Sequence, residues 1–349
     1  MEEYIAFDSH KHYTWVEQEE VQSEKLRRYR LEHAPGAIEE ALRGCRAGTA
    51  VALEATANWY WIVDEIEPAG LVPQLVHPRK AKLMMGLINK TYKLDAHGLN
   101  RLQRNGTLPT VWIPPGPLRE LRELTRTRVV LVAQRTRWKN RVTATLAKYG
   151  TAGSEHSDPY GKRARAELDR RMGRLPEQAR WVLEQMLRQI DTLKEQIGQF
   201  EARLNGLVKV TPAMQRLMSL PGVGVILAAT ISLEIGDAGR FPSAEHLAAY
   251  AGTTPRVHSS GGHTRYGRTR PDVNRYLKWA FAEAANSVAV NHTRCPQRHV
   301  SHLYRQLRQR KGHSKAIGAV ARHLAEAAFH VLSRQELYRD PALGRTREV

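Results

Sequence analysis

The sequence predicts an α/β amino-terminal domain, a helical middle built round a coiled coil, and a mainly α carboxy-terminal domain with a helix-hairpin-helix-like motif. Three observations lead there. Short apolar runs alternate with helical stretches over the first hundred residues. A heptad seam runs from Leu183 to Leu207. A Leu220-Pro221-Gly222-Val223-Gly224 turn separates two short helical stretches. The expected boundaries are 1–115, 116–210 and 211–340.

In the first domain, Tyr4 to Phe7 is an apolar strand ending at Asp8, and His12 to Val16 pairs with it as a hairpin. Residues 36–46 read as helix, Ala50 to Leu53 as a strand ending at Glu54, Trp59 to Ile66 as helix and Leu71 to Val76 as strand. Such alternation predicts a mixed sheet flanked by helices. Residues 117–149 read as a very basic helix, and Gly150 to Gly161 as a loop. In the seam, Leu183, Met186, Ile190, Leu193, Ile197, Phe200, Leu204 and Leu207 recur at alternating steps of three and four. That spacing fits a hairpin with the preceding helix, a dimer zipper or an ordinary core helix. Pro212 ends the stretch. Beyond it lie a glycine-rich basic loop, Gly252 to Pro271, and helices near 273–290 and 314–334.

Charge narrows the function. The 349 residues carry 54 Lys and Arg against 35 Asp and Glu, a net +19. That surplus points to a polyanion, and nucleic acid is the commonest one. It is uneven: residues 1–70 are net −7 and residues 240–349 net +12. The first part is thus suited to cations and the rest to phosphates. The two cysteines, Cys45 and Cys295, support neither a disulfide framework nor a zinc site. No apolar stretch approaches a membrane span, and the acidic start is no signal peptide. The expected location is the cytoplasm, in association with the nucleoid.

Three groups of residues carry chemistry. Asp8 and Glu54 end apolar strands, a usual position for divalent metal ligands, and hard Mg²⁺ prefers oxygen. Asp95 is the only acid between Glu67 and Glu120, among Lys80, Lys82, Lys90, Lys93 and Arg101. It reads as a third ligand, as the partner of a local ion pair with Lys93, or as a charge at a helix N-terminus. Gly222 and Gly224 let a backbone turn approach a phosphate, though a tight turn between packed helices has the same residues. Finally, no Asp or Glu occurs from His246 to Pro271. Ser259 and Ser260 stand there among Arg256, Arg265, Arg268 and Arg270. Guanidinium groups stabilise a phosphoryl group in transfer. The loop therefore suits either serine attack on a phosphodiester or phosphate binding alone.

The order of these motifs resembles a known family. Asp8-Ser9-His10-Lys11, Glu54-Ala55-Thr56, Asn89 to Ala96, the Leu220 to Gly224 turn, Ala251 to Pro255 and Ser259 to Gly262 follow one another. The pattern resembles that of bridge-RNA-guided insertion-sequence transposases with an N-terminal DEDD domain of RuvC-like fold and a C-terminal serine-bearing domain. The resemblance spans nearly the whole chain. It implies an RNase-H-like fold, Mg²⁺ bound by four acids, and a serine that forms a transient phosphoserine link to DNA. It also implies a structured non-coding guide RNA and a homodimer or homotetramer that brings one subunit's metal domain to another's serine domain. Asp8, Glu54 and Asp95 match the first, second and fourth acids. Ser260 matches the nucleophile, with Ser259 one residue away. The third acid is missing: Tyr92 stands in its place, and a neutral phenol is a poor Mg²⁺ ligand.

Overall fold

A computed structural model describes residues 3–86, 92–151, 153–156 and 158–341. The motif residues Asn89, Lys90 and Thr91, and the tail beyond Pro341, lie outside them. The chain divides into two compact units, Met1–Pro114 and Pro115–Val349.

The first unit is a five-stranded sheet in the order β3-β2-β1-β4-β5. β1 (Glu3–Ser9) and β2 (Tyr13–Glu20) form an antiparallel hairpin, and β3 (Lys25–Glu32) adds to its outer edge. β4 (Ala50–Glu54) pairs parallel to β1, and β5 (Val72–Val76) parallel to β4. The crossovers are α1 (Ala37–Leu42) and α2 (Trp59–Ile66).

Strand side chains alternate between faces. Ile5, Phe7, Val51, Leu53 and Leu75 point to one face and are sealed by Ile38 and Leu42 of α1 and by Ile62, Val63 and Ile66 of α2. The other face presents Ala6, Ala52 and Val76. It is covered by Ala81 of α3 (Pro78–Met85) and by Leu99 and Leu102 of α4 (Tyr92–Arg104). Alanines at 6 and 52 leave room for a helix to lie close. β3 was not expected from the sequence. Its residues Lys25 to Arg28 are exposed, as an edge strand allows.

The second unit is mostly helical. α5 (Gly116–Lys148) and α7 (Glu177–Leu207) pack side by side. Val142 and Leu146 near the end of α5 meet Leu183, Met186, Leu187 and Ile190 near the start of α7, with Leu168 and Met172 of α6 (Lys162–Met172). At the other end Arg128 pairs with Glu201. The two long helices are therefore antiparallel, and the heptad seam is buried within the chain from Leu183 to Ile197. Leu207, at its far end, is exposed.

The largest core joins α8 (Pro212–Met218), α9 (Val225–Ile235), α10 (Ala244–Tyr250), α11 (Arg275–Asn291), α12 (His299–Lys311) and α13 (His313–Ser333). It is rich in alanine, with Ala280, Ala284, Ala285, Ala325 and Ala328 fully buried. The stretch read as a loop from Gly252 to Pro271 holds a β-hairpin instead, β6 (Val257–Ser260) and β7 (His263–Tyr266). Among the described residues no helix is long and apolar enough to cross a membrane.

Candidate nucleic-acid processing site

The register of β1 and β4 places the two strand-end acids. Phe7 pairs with Leu53, so Asp8 and Glu54 take the next positions on neighbouring strands, about 4.8 Å apart in the pairing direction. Two residues beyond Ala6 and Ala52, they share the face that α4 covers. α4 runs antiparallel to these strands: Gln103 near its end donates to Ala50 O at 2.8 Å, at the start of β4. Its first turn, with Asp95, is thereby carried toward the strand ends that hold Asp8 and Glu54. Asp8 is 7% exposed, and its Oδ2 lies 3.1 Å from Nε2 of His10. Among the described residues no three His, Cys, Asp or Glu side chains are grouped to hold a metal ion. Tyr92 opens α4, and its side chain lies outside the described residues.

The same face holds groups that sequence reasoning missed. Glu17 pairs with Ala6 on β1 and so faces α4. It is 1% exposed, accepts from Nε of Arg28 on β3 at 2.7 Å, and lies 2.8 Å from Nδ1 of His97 on α4. Next to it, Arg104 of α4 pairs with Glu19 at 2.6 Å. These bonds tie the helix bearing Asp95 to the hairpin bearing Asp8. Glu17 was hidden because the strand around it reads as one more part of an acidic stretch. Beside Asp8, His10 stacks on Tyr13 at 4.7 Å, and Arg30 lies 4.0 Å over the same ring.

In the second unit the Ser219–Gly224 turn joins α8 to α9. Gly222 has φ 81°, and a Cβ there would stand 2.3 Å from Ala284 O of α11. Close packing thus accounts for this glycine. Gly224 is the N-cap of α9 in extended backbone, with open space where a side chain would be. A groove of about 660 Å³ follows the turn, with Arg298, Tyr338 and Asp340 among its walls. The Tyr338 N–H donates to Ser219 Oγ at 2.8 Å.

The β6–β7 hairpin carries the serines. All eight strand residues are exposed. Gly261 and Gly262 form the two-residue loop with φ 56° and 77°, the left-handed pair that such a tight hairpin needs. The register pairs Ser260 with His263, Ser259 with Thr264, His258 with Arg265 and Val257 with Tyr266. Alternation then gives two unlike faces. Ser260, His258, His263 and Arg265 lie on one. Ser259, Val257, Thr264 and Tyr266 lie on the other, with Ser259 Oγ 3.4 Å from Thr264 Oγ1. Arg256 extends the ladder, its N–H donating to Arg268 O at 3.2 Å. Arg268 is exposed. Arg270 is engaged otherwise: it donates to both carboxylate oxygens of Asp272 at 3.0 and 2.7 Å, which raises its pKa.

Comparison with known proteins fits this layout. Residues 5–151 match the family model of the DEDD transposase domain of IS110 type, described as "Transposase". Residues 214–301 match the model described as "Transposase IS116/IS110/IS902 family". The chain is similar to a probable family 20 transposase of Pseudomonas aeruginosa, 27% identical over 83% of this chain and 85% of that one. It is also similar to the transposase for insertion sequence element IS1111A of Coxiella burnetii, 25% identical over 77% and 74%. An IS110 insertion-element protein of 43.6 kDa from Streptomyces coelicolor is 33% identical over 41% of this chain and 34% of its own.

A mixed sheet with helices, of the kind an RNase H-like DEDD domain has, followed by a mostly helical transposase region, defines the class: a DNA transposase. Within that class the chain belongs to the IS110/IS116 family of insertion-sequence transposases.

Proposed function

We propose that this transposase breaks and rejoins DNA through Ser260, with Mg²⁺ at the acids of the first unit and a structured non-coding RNA choosing the DNA. The observation that carries the serine assignment is the hairpin itself: strand alternation puts the two neighbouring serines on opposite faces, and the register gives each its cross-strand partners. Ser260 shares its face with two imidazoles and a guanidinium, whereas Ser259 shares its face with Val257, Thr264 and Tyr266. A serine nucleophile needs a base nearby and a cation for the phosphoryl charge. Only Ser260 has both residue types on its face.

Asp8, Glu54 and Asp95 suit Mg²⁺ by donor chemistry. Mg²⁺ keeps several waters and binds through one or two carboxylates plus substrate phosphates rather than in a closed protein cage. Asp8 and Glu54, on neighbouring strand ends, would supply those carboxylates, and Asp95 would have to be drawn to them when the ion binds, since the three are not grouped in the structure. When bound, the ion would polarise a phosphoryl oxygen and neutralise charge on it. His10 is placed to orient Asp8. Gly222 and Gly224 at the start of α9, with Arg256, Arg265 and Arg268, would hold backbone phosphates; Arg270 would have to leave Asp272 to join them. RNA guidance and assembly as a dimer or tetramer rest on the family resemblance. The buried seam supplies no zipper for them.

The test is covalent capture. Ser260→Ala should abolish protein–DNA adducts on a duplex spanning the insertion-sequence end while leaving DNA binding intact. Ser259→Ala should retain them. Adducts that persist in Ser260→Ala and vanish in Ser259→Ala would overturn the assignment. A second reading, a metal-dependent nuclease that uses water, is favoured by the adjacency of Asp8 and Glu54. It predicts that Asp8→Asn stops cleavage and Ser260→Ala does not.

A further inference from the structure

We propose that His263 is the general base for Ser260 and that His258 is the general acid for the leaving strand. This deepens the serine reading and rests on it. The hairpin face is a square of four side chains. Ser260 lies directly across from His263, and His258 directly across from Arg265. Cross-strand neighbours have Cβ atoms about 4.5–5.5 Å apart. His258 stands two residues along its strand from Ser260, about 6.5–7 Å away. An imidazole on the neighbouring strand can reach the serine hydroxyl. The second imidazole lies about one phosphate's width further on, beside the guanidinium. All four are exposed, so a phosphodiester can lie across the face without displacing protein. Arg265 and, just before the strand, Arg256 are the charged groups near the imidazoles. Both are cationic, and the acid-free sequence around them leaves no carboxylate in the hairpin to neutralise either.

The step balances within this face. The Ser260 oxygen forms a bond to phosphorus, and its proton passes to the His263 ring. The bond from phosphorus to the deoxyribose oxygen breaks, with its electron pair on that oxygen. Protonated His258 gives that oxygen its proton and leaves a free hydroxyl. Rejoining is the reverse. The hydroxyl of the incoming strand gives its proton to His258 and attacks phosphorus, and His263 returns a proton to Ser260. One phosphoester is exchanged for another at each stage, so no external energy source is required.

A fluorophosphonate probe on the full-length protein isolates the base, because fluoride departs without needing a proton. The wild type should be labelled at Ser260, located by mass spectrometry. His263→Ala should slow labelling by about 10²-fold, the ordinary worth of a general base. His258→Ala should slow it far less. Added imidazole should restore labelling in His263→Ala, which a merely structural role for that residue does not predict. On DNA, His258→Ala should slow adduct formation, and a bridging phosphorothiolate at the scissile position, prepared in 3′ and 5′ forms, should restore it. Labelling of His263→Ala at the wild-type rate would overturn the inference and leave the serine reading standing. Equal labelling of wild type and Ser260→Ala would overturn the serine reading itself.

Discussion

Gly222 is a residue whose role is set by a single close approach. With φ 81° and Ala284 O 2.3 Å from any added Cβ, Gly222→Ala brings both backbone strain and a clash with a helix backbone. The expected cost is about 2–4 kcal/mol, seen as a lower thermal midpoint; a midpoint equal to wild type would mean that the turn has room to shift. His323 is a residue with a pH signature. Burial lowers its pKa from 6.5, and the neighbouring His299 ring, 4.9 Å away, lowers it further. Tyr338, Glu326 and Asp340 are the other ionisable groups around it. The folded state takes up the proton at lower pH than the unfolded chain, whose ring protonates near pH 6.5, so this residue's contribution falls as pH drops below about 7. His323→Gln should flatten that part of the stability–pH curve. An unchanged slope would assign the acid sensitivity elsewhere.

At the scale of elements, one buried carboxylate joins three helices. Glu234 of α9 is fully buried. It accepts from Nε and Nη2 of Arg126 on α5 at 2.6 and 2.9 Å, and from Asn274, the N-cap of α11, at 2.7 Å. Arg122, also buried, donates to the carbonyls of Leu233 and Glu234. Removing the carboxylate takes away the buried counter-charge of Arg126 and Arg122 while their backbone and remaining partners stay, so Glu234→Ala should cost about 3 kcal/mol by denaturant unfolding. A loss under 1 kcal/mol would show that water reaches them. Part of the basic character of α5 therefore serves packing, which the sequence could not reveal. Other elements were legible in proportion to their burial. β1 and β4 read as apolar runs because both faces of each are covered, and β5 because its second half, Leu75 and Val76, is buried on both. β3 and the β6–β7 hairpin escaped because strands with exposed side chains need no apolar alternation. The Gly261-Gly262 pair was the turn signal that could have found the hairpin. α4 escaped because polar Asn100 and Gln103 share its buried stripe with Ala96, Leu99 and Leu102.

On the scale of the whole molecule, the charge division read from the sequence holds chemical meaning only once the folds are known. The acidic first stretch supplies Asp8 and Glu54 to one end of a sheet, yet it also supplies Glu17 and Glu19 to internal ion pairs. The basic remainder supplies Arg265 and Arg268 to an exposed hairpin, yet spends Arg122, Arg126 and Arg270 on internal partners. Spacing in the sequence brought out the strand-end acids and the serine loop. It could not put Ser259 and Ser260 on opposite faces, because the stretch reads as a loop, nor give their cross-strand partners, which depend on a register fixed by two glycines.

The most direct measurement is mass spectrometry of the protein after reaction with a DNA duplex spanning the insertion-sequence end, followed by nuclease digestion. The account predicts a nucleotide remnant on the peptide containing Ser260, with fragment ions placing it on that oxygen. A remnant on Ser259, or cleaved DNA with no protein-linked nucleotide, would contradict it.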